Sequence, residues 1–185
     1  MSYFLEGQLL IATPAITDER FKKSVIFICS HDSEHAMGLV LNKVNKNINF
    51  KLFCDQMSIN LPSNYSHKSI RIGGPMDTSR GFVLHSSEHV LPDTKVINDN
   101  FSMTCSIDII KEIASRKGPT SSIITLGYAG WFSGQLEFEL KENSWLTLPA
   151  KPEIVFSSEL NKIWVKSLSE LGIKPDQISS NFGNA

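Results

Sequence analysis

Two apolar runs, residues 24–30 (SVIFICS) and 37–41 (MGLVL), carry large side chains on both alternating faces. A strand with one apolar face can border solvent, but a strand apolar on both faces needs cover on both. The fold must therefore place a sheet between two covering layers. The five residues from His31 to His35 separate the runs by the length of a hairpin loop. Residues 7–13 (GQLLIAT) read as a preceding strand ended by Pro14, and residues 18–23 as a polar turn with Phe21 pointing inward.

Further elements follow by pattern. Residues 45–49 are polar and irregular. Phe50, Phe53, Cys54 and Met57 recur at helical spacing, which predicts a short amphipathic helix over 50–57. Residues 58–68 form a loop. A strand over 69–72 stops at Gly73-Gly74-Pro75, and residues 81–85 (GFVLH) form another. Residues 96–97 and 101–104 read as strands joined around Asn98-Asp99-Asn100. Ser106 caps a helix to Lys117 with Ile107, Ile110, Ile113 and Ala114 on one face, and Gly118-Pro119 ends it. Residues 123–126 read as an apolar strand that stops at Gly127. Ser157 or Ser158 opens a last helix to Leu171, striped by Leu160, Ile163, Trp164, Leu168 and Leu171. The tail from Asp176 is expected to be loosely held. Strands and helices mix throughout without a linker, which predicts one α+β domain over residues 1–185.

The densest stretch is residues 126–150, with Trp131, Trp145 and three glycines. Within it, residues 135–141 admit two readings. Leu136, Phe138 and Leu140 alternate with charged residues, as in a strand. Ser133 as a cap, Glu137 early, Lys141 late and Asn143 as a stop describe a helix. The helix-forming character of the residues favours the helix.

The whole chain sets outer limits. Its 185 residues suffice for one core that buries about 70% of the unfolded surface. A net charge of −1 gives no general attraction to nucleic acid or anionic membranes. The first residues lack the pattern of a signal peptide, and no apolar run reaches the ~20 residues of a membrane span. Cys29, Cys54 and Cys105, odd in number and without a CxxC pair, read as reduced thiols of a cytoplasmic protein.

Candidate chemistry is sparse. HDSEH (31–35) and HSSEH (85–89) share the H-x-x-E-H spacing of inverted zinc-protease motifs. That chemistry needs a helix to bring both histidines to one face, whereas each segment follows an apolar strand and reads as a turn. No G-x-S-x-G elbow, GxGxxG loop or Walker lysine loop occurs. Gly73-Gly74 with Arg71 or Arg80 could cradle an anion, but a tight turn is the plainer reading. Arg20, Lys22 and Lys23, with Lys43 and Lys46, make a small basic cluster but no recognition helix. Trp131 and Phe132 suit core packing before a pocket wall.

Three blocks, GQLLIATPAITDERFKKSVIFICSHDSEHAMGLVLNK, IGGPMDTSRGFVLH and LGYAGWFSGQLEFELKENSWLTLPA, resemble in order those of the YqgE/AlgH family of bacterial proteins. The resemblance covers essentially the whole chain. It implies a largely antiparallel, coiled and partly barrel-like sheet flanked by helices, and it supports the helix at 135–141. It implies little about activity, although one branch carries a label as a regulator of polysaccharide-synthesis transcription. Glu19 and Val44 stand where the family usually has proline, and His35 where it usually has glycine, so a metal site using His35 would be peculiar to this chain.

The leading expectation is a non-catalytic cytoplasmic protein that binds a small ligand or a protein partner. Its site is expected to be one polar cleft of Asn42, Gly74, Arg80, His85, Trp131, Gln135 and Glu137, drawn from strand ends and the start of a helix. An enzyme of unknown class using His31, Arg80, His85 and Glu137 is the first alternative. A transcriptional regulator is the second, resting on the family label alone. No catalytic set, metal, cofactor, specific nucleic acid or membrane association is expected. Duplex DNA should accordingly bind only weakly, without sequence preference and with affinity falling steeply as salt rises. A filter-binding titration that finds tight, sequence-selective binding at physiological salt would refute this.

Overall fold

The computed structural model describes residues 4–63, 65 and 68–178. Its strands are β1 (Gln8–Ala12), β2 (Val25–His31), β3 (His35–Val40), β4 (Val44–Asn49), β5 (Ser69–Ile72), β6 (Met76–His85), β7 (Lys95–Val96), β8 (Ser102–Thr104), β9 (Ser122–Phe132) and β10 (Trp145–Pro149). Its α-helices are α1 (Phe50–Gln56), α2 (Ile107–Ala114), α3 (Gln135–Lys141), α4 (Pro152–Val155) and α5 (Leu160–Glu170). All ten strands join one sheet in the order β10-β1-β2-β3-β9-β6-β8-β7, with β5 on β9 and β4 on β5. Every pairing is antiparallel except that of β5 with β9. The sheet curls into a half-barrel flanked by helices, the α+β architecture expected.

The two-faced strands behave as their pattern requires. Leu9, Ile11, Val25, Phe27 and Leu39 point to a core closed by α4 and α5 through Val155, Ile163, Trp164 and Leu168. Leu10, Ile26, Ile28 and Val40 point the other way, where Trp131, Leu136 and Trp145 cover them. A third cluster lies under α1 and α2, around Phe50, Phe53, Ile70, Ile109 and Ile124.

β9 is the spine. Its first half, to Leu126, pairs with β5 on one edge and β6 on the other. Its last residues, from Ala129, pair with β3. The sequence places a strand end at Gly127, but β9 continues to Phe132. Gly127 takes φ +72° and bends the strand while hydrogen bonding resumes on both sides. A glycine inside a strand pattern marks a kink as readily as a stop.

Other boundaries differ from expectation for identifiable reasons. Polar residues 44–49 form strand β4 because β5 offers it an edge, with pairing only at Val44 and Asn49. α2 ends at Ala114 and leaves Ile107 exposed, with Ile109 on the buried face instead. α3 forms as favoured, but its N-cap is Gly134 and Ser133 donates to the Ser33 carbonyl. The last helix begins at Leu160 rather than after a serine cap, preceded by the separate turn α4 that Pro152 initiates. Strand β10 adds to the elements read from the pattern. The expected loose tail lies largely in residues 179–185, outside the described residues.

The striped face of α5 docks as its spacing predicts. Trp164 is 8% exposed, and its indole N–H donates to the Ala12 carbonyl at 2.9 Å. Replacing it by alanine removes a large buried ring and that bond. Trp164→Ala should cost about 3–5 kcal/mol, and an unchanged thermal melt would show that α5 is not docked in this way.

Candidate functional site

α3 lies between the end of β9 and the start of β10, and its sequence QLEFELK divides by face. Leu136 is buried under the helix, while Glu139, one turn beyond Gln135, reaches back to the sheet. The Glu139 carboxylate accepts the indole N–H of Trp131 at 2.9 Å and that of Trp145 at 2.7 Å, both on Oε2. Oε1 accepts the Gln135 side-chain amide at 2.9 Å. Gln135 in turn accepts the backbone N–H of Phe132 at 3.1 Å. One carboxylate thus ties β9, α3 and β10 together, and it sets the angle between two tryptophan rings.

These rings floor a cavity of about 530 Å3. The turn after β1 walls it with Thr17, Asp18, Arg20 and Phe21, while Pro75, Met76, Ala129 and Gly130 form its other side. Arg20 holds both oxygens of Asp18, Nε reaching Oδ1 and Nη2 reaching Oδ2, and its guanidinium hydrogen bond keeps the Asp18 carboxyl below its ordinary value. A second hollow of about 360 Å3 adjoins the first, sharing Met76, Gly130 and Trp131. Its lining is softer, with Met37, Met103, Phe82 and Tyr128, and its polar groups include Ser30, His35, Arg80 and Cys105. The Arg80 guanidinium stands 5.3 Å from the Phe82 ring centre. Burial pushes the Cys105 thiol up, with Arg80 pulling in the opposite direction.

The residues named from sequence divide accordingly. Trp131 and Gln135 share the larger cavity, and Arg80 lies in the adjoining hollow. Gly74 packs on the β9 backbone, where an added Cβ would sit 2.1 Å from the Tyr128 carbonyl carbon. Glu137 lies outside both hollows and accepts from His31 Nε2 at 2.9 Å, at the tip of the β2–β3 hairpin. His31 Nδ1 accepts the Leu5 N–H at 3.0 Å, so the proton belongs on Nε2 and both nitrogens are occupied. Asn42 bridges the Val25 N–H and the Lys23 carbonyl, fixing the turn before β2. That turn borders a different hollow beside Trp164.

His85 is placed elsewhere. It pairs with Ser122 at the start of β9, whereas Trp131 stands near the other end of that strand. Its Nδ1 donates to the Ser86 carbonyl at 2.9 Å, leaving Nε2 to accept from the Thr104 hydroxyl at 2.9 Å. Thr104 accepts from Thr94 at 2.7 Å, and Thr94 accepts the Leu91 N–H at 2.9 Å. With the ring neutral, the Ser86 carbonyl fixes the direction of every proton in the chain. Neither H-x-x-E-H segment is helical. Asp32 caps the first as a turn by accepting the Glu34 and His35 amides, and His89 of the second bonds Glu112. The Gly73-Gly74 turn is not an open anion cradle, because the Gly73 N–H donates to the Leu126 carbonyl at 2.8 Å.

Sequence reasoning missed Glu139, Trp145 and Phe21 as site residues. The available signal was the spacing of Gln135 and Glu139 on one helix face between two tryptophans. It missed Arg71 as a structural group as well. Arg71 is 5% exposed and donates to the carbonyls of Leu41 at 2.7 Å and Ser157 at 3.0 Å, and burial lowers it to about 10.

The His85 chain generates a pH prediction. Desolvation lowers the His85 pKa from its ordinary 6.5. The unfolded chain then takes up a proton near pH 6.5 that the folded protein refuses. The linked loss of stability begins as pH falls through 6.5 and stops growing below the folded midpoint. An NMR titration of the His85 ring should show a midpoint below 6.5, and a midpoint at or above 6.5 would refute the wiring.

Comparison with known proteins bears on the whole chain. A family model described as AlgH-like matches residues 9–176. A UPF0301 protein of Methylobacterium nodulans is 40% identical over a 190-residue alignment, which covers 98% of this chain and 90% of that protein. A UPF0301 protein of Rhodopseudomonas palustris is 43% identical, with 98% and 87% covered. The solution structure of the AlgH protein from Pseudomonas aeruginosa is 35% identical with a TM-score of 0.80, covering 100% of this chain and 98% of that one. A crystal structure of a Corynebacterium diphtheriae protein has a TM-score of 0.74 at 20% identity, with 96% and 92% covered, and shares the fold.

Proposed function

The chain belongs to the AlgH-like family, and we propose that it binds a small molecule, without chemical turnover, in the cavity floored by Trp131 and Trp145. The observation that carries this reading is the cavity's construction. Its volume of about 530 Å3 falls within the ~300–1,000 Å3 usual for small-molecule sites. Its aromatic floor is held at fixed angles by one carboxylate, so the shape exists before any ligand arrives. Preformed shape reduces the ordering cost of association.

Binding is favoured over catalysis by how the polar groups are used. The carboxylates of the lining are Asp18 and Glu139, and each is spent on fixed partners, Arg20 and the indole pair respectively. A general acid or base needs a proton it can exchange with a substrate, and an activated nucleophile needs a base beside it. The residues lining this cavity include no histidine, cysteine or lysine. The three cysteines are free thiols, which fits the cytoplasm as the place of work.

A fragment screen by NMR on the full chain tests the reading. Hits should perturb the indole N–H resonances of Trp131 and Trp145, and Trp131→Leu should weaken them about tenfold or more. Hits confined to other surfaces, or none at all, would refute it.

A further inference from the structure

The hollow of about 360 Å3 that adjoins the larger cavity has a chemistry of its own. Its floor is apolar and buried, since Ala36, Phe82 and Met103 are each under a tenth exposed. Two further apolar side chains of the lining are open to solvent. Phe132, the last residue of β9, is 81% exposed, and Met76 is 40% exposed. Exposed apolar residues scattered singly need no explanation, but two that wall one hollow offer surface that a ligand can take out of water. The volume lies at the lower end of the ~300–1,000 Å3 of small-molecule sites, which suits one ring or a short chain.

One charge stands against this surface without a counter-charge. Among the described residues that line the hollow, Arg80 carries the only fixed charge, and none is Asp or Glu. Its guanidinium forms no ion pair among the described residues. Its contact with the Phe82 ring, 5.3 Å to the centre, places the cation without neutralising it. The neighbouring Cys105 thiol stays neutral because burial pushes it up. Asp93 acts on the same thiol, but its oxygens accept the Ser106 N–H and hydroxyl at 3.0 Å each. His35 also lines the hollow and is held by Asp32 at 3.1 Å.

These features select a ligand by charge and by shape. One guanidinium balances one negative charge, and its planar fork of N–H donors matches the two oxygens of a carboxylate. A phosphate dianion brings more charge and more acceptors than one guanidinium answers, and apolar walls do not replace its hydration. A neutral ligand leaves Arg80 without a counter-charge. We propose that this hollow binds a small monocarboxylate with an apolar body, its carboxylate on Arg80 and its body against Phe132 and Met76. Occupancy of the larger cavity is not required.

The test titrates phenylacetate into the full chain and follows the Arg80 Nε–H and Phe132 backbone N–H resonances by NMR. Acetate lacks the body, and phenylacetamide lacks the charge. Phenylacetate should shift both resonances saturably, with each comparison compound about tenfold weaker or worse. Arg80→Gln keeps donors and removes the charge, and it should bring phenylacetate down to the level of phenylacetamide. Phe132→Ser changes an exposed side chain outside the core, and it should weaken phenylacetate while leaving acetate unchanged. Equal affinity for phenylacetate and phenylacetamide, or no effect of Arg80→Gln, overturns the carboxylate assignment. Equal affinity for phenylacetate and acetate overturns the apolar body. Shifts confined to other surfaces, or none at all, overturn the site. Of the two hollows Trp145 lines only the larger, so its indole N–H distinguishes binding there from binding here.

Discussion

The close approach of Gly73-Gly74 to β9 is the constraint on which the sheet depends. An added Cβ on Gly73 would lie 2.2 Å from the Gly127 carbonyl oxygen, and one on Gly127 would lie 2.5 Å from the Gly74 oxygen. Backbone meets backbone here, so no side-chain adjustment relieves the contact. Gly73 spans the gap by donating to Leu126 and accepting from Val40. That pair of bonds lets β5 and β3 follow one another along the β9 edge opposite β6. The φ of +72° at Gly127 supplies the bend. The turn in β9 between its β5-paired and β3-paired segments lies at this junction.

Arg71 makes a second commitment of the same sheet region. A buried guanidinium costs stability unless each N–H finds an acceptor. It is met here by carbonyls rather than a carboxylate. Leu41 supplies one after β3, and Val155 and Ser157 supply others where α4 ends. Carbonyls at a helix end are otherwise unsatisfied and carry partial negative charge. The planar fork therefore fastens the α4–α5 segment to the sheet centre while satisfying groups that would lack partners. A lysine could not match this geometry, because its donors do not lie in one rigid plane.

Much of this was legible in the sequence, and the remainder was hidden for physical reasons. Strands β1, β2 and β3 and helix α5 were readable because their periodicity reports burial directly: Leu9 and Leu10 go to opposite cores, as both-face apolarity demands. The continuation of β9 was hidden because Gly127 carries the same letter whether a strand kinks or ends. β4 was hidden because its existence depends on a partner edge, and its polar residues say nothing of β5. At the site, Trp131 and Gln135 stand out by their dense surroundings, but only strand-end logic groups His85 and Asn42 with them. Strand ends occur at both ends of a sheet, and no local pattern says which. Glu139 was missed because its role is tertiary: its partners lie six and eight residues away on different strands.

The junction and the cavity are one design at two scales. Beyond the bend at Gly127, Trp131 packs in the cluster of Leu10 and Ile26, and Tyr128 packs against that of Leu9 and Phe27 on the other face of the sheet. Gly130, between them, leaves room for Met76, whose sulfur would be 2.8 Å from an added Cβ. Met76 lines both hollows and is 40% exposed. The partition between the hollows is therefore a flexible thioether set against rigid indoles. Methionine adapts to irregular space at little cost, whereas the Trp131–Trp145 pair is locked by Glu139. Rigidity sits at the paired indoles, and softness sits at the thioether between the hollows. The Met76 side chain takes no part in the indole bonds that Glu139 accepts.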